Sequence, residues 1–165
     1  MKLKYLLFLS ALTIGSVSHA GAEQTSHFAL QGTIATDGAI GAGIARYTEH
    51  SEIGLTLSGI TNNAEDHTKL FIPVLFGGWR KPIGDQTYFA LGINLVNEIG
   101  TESGEHIHND FIVGPYVSIE QALTKHVLLI SWVDPYSYEY AKKGDDSIST
   151  SRFLASGGIG ISYLF

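Results

Sequence analysis

The last thirteen residues constrain this chain most. Phe153, Ile159, Ile161, Tyr163 and Phe165 stand at odd positions, and Ser156, Gly158, Gly160 and Ser162 fall between them. Side chains alternate with a period of two only along an extended strand, so the segment presents one large apolar face and one small, polar face. A slip of one residue would exchange the two, which fixes the register wherever one face meets an apolar medium. The alternation returns in residues 87–97, where Phe89, Leu91, Ile93 and Leu95 oppose Tyr88, Ala90, Gly92 and Asn94. It returns again in 111–119, where Phe111, Val113, Val117 and Ile119 oppose Gly114, Tyr116 and Ser118.

Weaker versions occupy residues 27–35, 39–47, 52–60, 68–79 and 127–136, and no persuasive 3.6-residue apolar repeat interrupts them. The expectation is eight strands of about nine to twelve residues, near the roughly nine to eleven that cross a bilayer at a tilt of about 45°. The links between them alternate in length. Residues 48–51 and 121–126 are short and 80–86 moderate, whereas 61–67, 98–110 and 138–152 are longer; the first link, around Asp37 and Gly38, is short. Short turns on one side and longer loops on the other are the pattern of a transmembrane barrel, and an even strand number returns both termini to the side of the short turns. The predicted fold is all-β: an eight-stranded antiparallel up-and-down transmembrane barrel.

Composition agrees with that placement. Charged residues make up 16% of the 165 residues, below the roughly 25% of soluble domains. Lys2 and Lys4, the mostly apolar stretch that follows them, and Ser18-His19-Ala20 read as a secretory signal peptide over residues 1–20, with cleavage after 20 or 22. The barrel then spans 21–165, and losing two lysines changes the formal charge from −6 to −8, with eight bases against sixteen acids. That balance argues against nucleic acid, which needs clustered bases. The absence of cysteine excludes disulfides, thiolate metal sites and cysteine nucleophiles.

The aromatic residues fall at strand ends. Tyr47, Trp79, Phe89 and Phe165 lie at the predicted periplasmic ends, and Phe71, Phe111, Tyr136 and Phe153 at the outer ends, as two interfacial girdles. With this pattern and a terminal Phe165 preceded at alternate positions by Tyr163, Ile161 and Ile159, the chain resembles the small eight-stranded outer-membrane barrels of OmpA/OmpX architecture. The likeness covers the mature chain, and the terminal motif about ten residues of it. It implies outer-membrane localisation after Sec export, contact with outer-membrane lipid and lipopolysaccharide, and a monomer without a wide pore. It also implies that the barrel-assembly machinery reads the last strand through Ile159, Ile161, Tyr163 and Phe165.

Chemistry in the sequence is sparse. Acids crowd the predicted outer loops: Glu65, Asp66, Glu98, Glu102, Glu105, Asp110, Glu139, Asp145 and Asp146. Solvated loops look like this; hard cations are the alternative. His106 and His108, with Glu105, Asp110 and His67, are a weak two-histidine pattern for a transition metal. Ser103 beside Glu102, His106 and His108, and the pair Asp146-Ser147, are the only nucleophile arrangements to weigh. Neither matches a His-x-Ser lipid A deacylase, and Asp146-Ser147 sits in the last loop rather than in the first, where palmitoyltransferases carry their Asp-Ser pair. No catalytic, cofactor or metal residue is assigned.

Gln31, Thr33, Thr56, Asn94, Tyr116, Ser118, Glu120 and Asp134 are predicted to face the lumen, where Arg46 would pair with them if its strand is phased inward. The phases of 39–47, 68–79 and 127–136 are open, because the last two are apolar on both faces. Pro73 and Pro115 each remove a ladder donor in mid-strand. The functional expectation is a non-enzymatic barrel with a role in envelope integrity, surface contact or adhesion. The alternatives are a lipid A-modifying acyl hydrolase or acyltransferase, and an exported lipocalin-like barrel holding an apolar ligand.

Overall fold

A computed structural model describes residues 26–62, 68–102, 105–143 and 146–165. The signal segment and Glu65, Asp66, His67, Ser103 and Asp145 lie outside the described residues. Eight strands follow one another: β1 (His27–Ala35), β2 (Ile40–Tyr47), β3 (Ser51–Asn62), β4 (Thr68–Pro82), β5 (Thr87–Glu102), β6 (Glu105–Thr124), β7 (Val127–Lys143) and β8 (Asp146–Leu164). Each pairs antiparallel with the next, and β8 returns to β1 through Ala29 opposite Leu164 to Ala35 opposite Gly158, closing the barrel. Closure leaves no sheet edge in this band, so the ladder satisfies backbone donors there without water. The seam is tied at its base, where the amide of Phe165 donates to the Phe28 carbonyl at 2.9 Å; on the other side of β8 the amide of Leu164 donates to the His126 carbonyl, next to β7, at 2.7 Å.

The wall is uneven. β1 and β2 have 9 and 8 residues, whereas β6 and β8 have 20 and 19. The β1–β2 link is tight because Gly38 adopts φ 89°, open to glycine at no steric cost, and Asp37 Oδ1 accepts the Ala39 amide at 2.9 Å. The long links expected at 98–110 and 138–152 are largely strand: β5 and β6 pair as far as Glu102 opposite Glu105, and β7 and β8 as far as Lys143 opposite Asp146. Above the bilayer both faces of a hairpin meet water, so the apolar alternation that betrays a strand disappears while the ladder continues.

The outer face is apolar. Leu30, Ile34, Ile44, Leu57, Leu91, Ile93, Ile119, Ile159 and Ile161 are exposed on it, with Phe71, Trp79 and Phe111 towards its rims. Phe71 and Trp79 are eight residues apart on β4; at about 3.3 Å per residue and a tilt of roughly 35–45° they are separated by about 19–22 Å along the normal. That fits within the roughly 25 Å apolar band of such barrels. A soluble barrel would carry polar groups at these positions.

Both prolines are accommodated without loss of the barrel. Pro73 pairs with Leu57 of β3, while its ladder to β5 is interrupted between Phe71 and Val74 with no change of register. Opposite Pro115 the β6–β7 register shifts between Val113 and Val117. A second shift, between Asp134 and Tyr136, separates β7 from β8, and there Leu154 takes φ 50°. These are β-bulges, which bend a strand and re-aim its side chains.

Candidate functional site

The lumen has a floor, a cavity and a mouth. The floor lies at the end of the barrel where both termini emerge. Ala29, Ala45, Tyr47, Leu128, Ile130 and Leu164 pack into an apolar cluster, joined by Phe76, Ala122 and Trp132. Beside it sits a buried ion pair: Arg80 Nε lies 2.7 Å from Glu120 Oε2, with the two side chains 6% and 0% exposed. Arg80 also donates to the Thr48 carbonyl at 2.9 Å and places its guanidinium 3.5 Å from the centre of the Tyr88 ring. Tyr116 donates its hydroxyl to Glu52 Oε1, and the Tyr47 and Ser162 hydroxyls are 3.2 Å apart. Charges held in such surroundings need partners at hydrogen-bond distance; Arg80 has them, and Glu120 has one on Oε2.

Above the floor lies a cavity of about 270 Å³. Its lining mixes apolar groups, Ile72, Val74 and Phe76 of β4 with Val96, Ile112, Ile130 and Trp132, and polar ones, Gln31, Thr33, Thr56 and Ser58; Thr56 stands opposite Val74 and Ser58 opposite Ile72 on the β3–β4 ladder. In the same lining Asn94 donates to Asp134 Oδ1 at 2.7 Å and Ser156 donates to Asp134 Oδ2. Towards the mouth Glu98, Asp37 and the pair Arg152 to Glu139, 2.7 Å apart, complete the lining. The glycines of the inner face make room for these side chains: a Cβ on Gly92 would stand 2.5 Å from the Tyr116 ring, and one on Gly158 at the same distance from Trp132.

The eight polar residues predicted to face inward all belong to this lumen: seven line the cavity, and Glu120 lies in the floor. Their cation is not Arg46. β2 runs with its odd residues inward, so Arg46 is turned outward against the Phe28 ring, its Nε donating to Ser26 Oγ at 2.7 Å. The base in the floor is Arg80, which the sequence places in the 80–86 link, and Glu52, also absent from the predicted lumenal set, is buried with it. The signal was available: Trp79 and Arg80 extend the alternation of β4 by one more pair, aromatic outward and base inward.

Tyr47 is corrected in the same way. It is 2% exposed and lies inside the floor rather than in a girdle, because the inward phase that takes Ala45 takes Tyr47 as well. The other aromatic positions are outside: Phe71, Trp79, Phe111, Phe153 and Phe165 are exposed and Phe89 is half-buried. Tyr136 packs edge-on against Phe153, with ring centres 5.4 Å apart. In the terminal strand Ile159, Ile161, Tyr163 and Phe165 are exposed outward, and Tyr163 stacks on His126 at 6.0 Å. The His106 and His108 positions lie on the outer extension of β6; the side chains of Glu102, Glu105, His106, His108 and Asp146 lie outside the described residues. Asp110 pairs with Glu98 and Ala141 on the ladder, near the outer ends of the strands.

No family model and no curated protein sequence matches the chain. Solved structures do. Neisserial surface protein A superposes with a TM-score of 0.53 at 16% identity, over 85% of this chain and 94% of that one. The N-terminal β-barrel domain of Pseudomonas aeruginosa OprF gives 0.53 at 12% identity, over 85% and 96%. At such identities the likeness is one of fold: this chain has the fold of the small eight-stranded outer-membrane barrels.

Proposed function

From a closed eight-stranded barrel of this fold, we propose that the chain works as a non-enzymatic protein of the outer membrane, with a role in envelope integrity, surface contact or adhesion and without a wide pore. The apolar outer wall is the observation that carries the reading. Ile44, Leu57, Leu91, Ile93, Ile159 and Ile161 are exposed on a barrel that buries Glu52, Arg80 and Glu120 inside, an arrangement that costs free energy in water and gains it in hydrocarbon. The filled floor supports the second half: Tyr47, Leu128, Tyr116 and the Arg80–Glu120 pair occupy the section through which ions would have to pass. An eight-stranded interior is just wide enough for its own side chains or one small ligand.

The test is fractionation of expressing cells together with gel mobility before and after boiling. Recovery in the outer-membrane fraction, with a mobility shift on heating, is expected; recovery in the soluble periplasm overturns the proposal. Reconstitution in planar bilayers is expected to give no porin-sized conductance.

A further inference from the structure

The cavity carries an inference that goes beyond an envelope role. Its charge is predominantly acidic: among the described residues Asp37, Glu52, Glu98, Asp134 and Glu139 line it against the one base Arg152, with Arg80 in the floor acting on Glu52. Its polar lining is not fully paired. Gln31 Oε1 and Ser118 Oγ are buried in that lining, in residues 8% and 3% exposed, and find no partner among the described residues. Buried polar atoms without partners are uncommon in native proteins and are usually explained by something that binds there. The same lining carries Ile72, Val74, Val96 and Trp132, the last directly opposite Ser118 on the β6–β7 ladder. The volume of about 270 Å³ corresponds to roughly nine water volumes, the bulk of a molecule of about nine non-hydrogen atoms.

We propose that the lumen is a binding site for a small lipophilic amine in its protonated form. The apolar side chains of the lining take the hydrocarbon. The ammonium supplies hydrogen bonds to the unpartnered Gln31 and Ser118 oxygens and the positive charge that the carboxyls of the lining favour, and the aromatic rings of Trp132 and Tyr116 belong to the same lining. An anionic amphiphile of the same size is repelled at the mouth by Asp37, Glu98 and Glu139, and a neutral one leaves the charge unmatched.

Three probes of equal length separate these cases: n-octylammonium, 1-octanol and octanoate. The chain has two tryptophans, and in a Trp79→Phe variant in lipid nanodiscs the fluorescence reports on Trp132 alone. The expected result is a saturable change with octylammonium at a concentration roughly tenfold below that for octanol, with octanoate weakest. Glu98→Lys at the mouth is expected to weaken octylammonium about tenfold and to strengthen octanoate. Ser58→Phe, which fills the cavity, removes the response. Equal binding of the three probes, tighter binding of octanoate, or a response untouched by Glu98→Lys overturns the proposal. The mobility shift on heating, measured on each variant, reports folding separately, so a failure of the membrane reading is distinguishable from a failure of the site.

Discussion

Replacing Glu120 with leucine tests what the ion pair in the floor contributes. Glu120 is fully buried, and its Oε2 takes the Arg80 Nε hydrogen bond at 2.7 Å. Leucine has a similar bulk, so the change removes charge without opening a large hole. The guanidinium left behind keeps the Thr48 carbonyl at 2.9 Å and the Tyr88 ring at 3.5 Å. The cost therefore falls near the lower end of the range for orphaning a buried charge, about 3 kcal/mol. Arg80→Met is worse. It leaves a carboxylate at 0% exposure whose Oε1 already has no partner, and the expected loss is about 5 kcal/mol.

The double variant Arg80→Met, Glu120→Leu carries neither charge. What it loses is the donor to the Thr48 carbonyl, worth about 1 kcal/mol, so it is expected to lie within about 1–2 kcal/mol of the parent rather than at the sum of the singles. Urea titration of protein refolded into phosphatidylcholine vesicles, followed by the mobility of unboiled samples, measures all four. If the double is no more stable than Arg80→Met alone, the pair is not the source of the cost and the reasoning fails. If Glu120→Leu matches the parent, the floor is wetter than its burial implies.

Three further outcomes follow from the packing. Gly92→Ala brings a Cβ to 2.3 Å from the Gly77 carbonyl and into the Tyr116 ring, and is expected to cost about 1–3 kcal/mol in the same titration; Gly32→Ala, with nothing within 4 Å, should change little. Lipids brominated in mid-chain are expected to quench Trp79, exposed on the outer face, in a Trp132→Phe variant, and to leave Trp132 nearly unquenched in Trp79→Phe; the reverse order would invert the phase of β4 and β7. Replacing Tyr163 and Phe165 with serine is expected to lower the amount of membrane-inserted protein in cells by severalfold while refolding from urea in vitro persists. An equal loss in both assays would make these residues structural rather than an assembly signal.

The strands that could be phased from the sequence are those whose two faces meet different media. Residues 87–97, 111–119 and 153–165 put Leu, Ile and Phe against lipid and Gly, Ser and Asn inside, so their alternation states the answer. Residues 68–79 and 127–136 do not, because part of the lumen is itself apolar: Ile72, Val74 and Phe76 face the cavity while Phe71, Leu75 and Trp79 face outward. Arg80 was hidden for a related reason. It is followed by Lys81, Pro82, Ile83, Gly84 and Asp85, a run that reads as a turn, and only the pairing of β4 and β6 on either side of β5 brings it to Glu120, forty residues on.

β7 shows why the site could not be assembled from alternation alone. In its lower half the even residues Leu128, Ile130, Trp132 and Asp134 point inward; in its upper half Ser137 and Glu139 do, and Tyr138 and Tyr140 are outside. A strand of uniform phase would turn Glu139 outward and Tyr138 and Tyr140 inward. The inversion falls where Pro135 cannot donate to the ladder and where the registers to β6 and β8 both shift. Across from it Leu154 sits at φ 50°, a left-handed conformation that costs a leucine roughly 1–2 kcal/mol, beside the Ser156 that donates to Asp134. The strain thus lies next to the groups it positions. By re-phasing one strand, the bulges put Asp134 in mid-lumen and Glu139 at the mouth on the same wall, within reach of Arg152, and so give the cavity two of its five carboxyls.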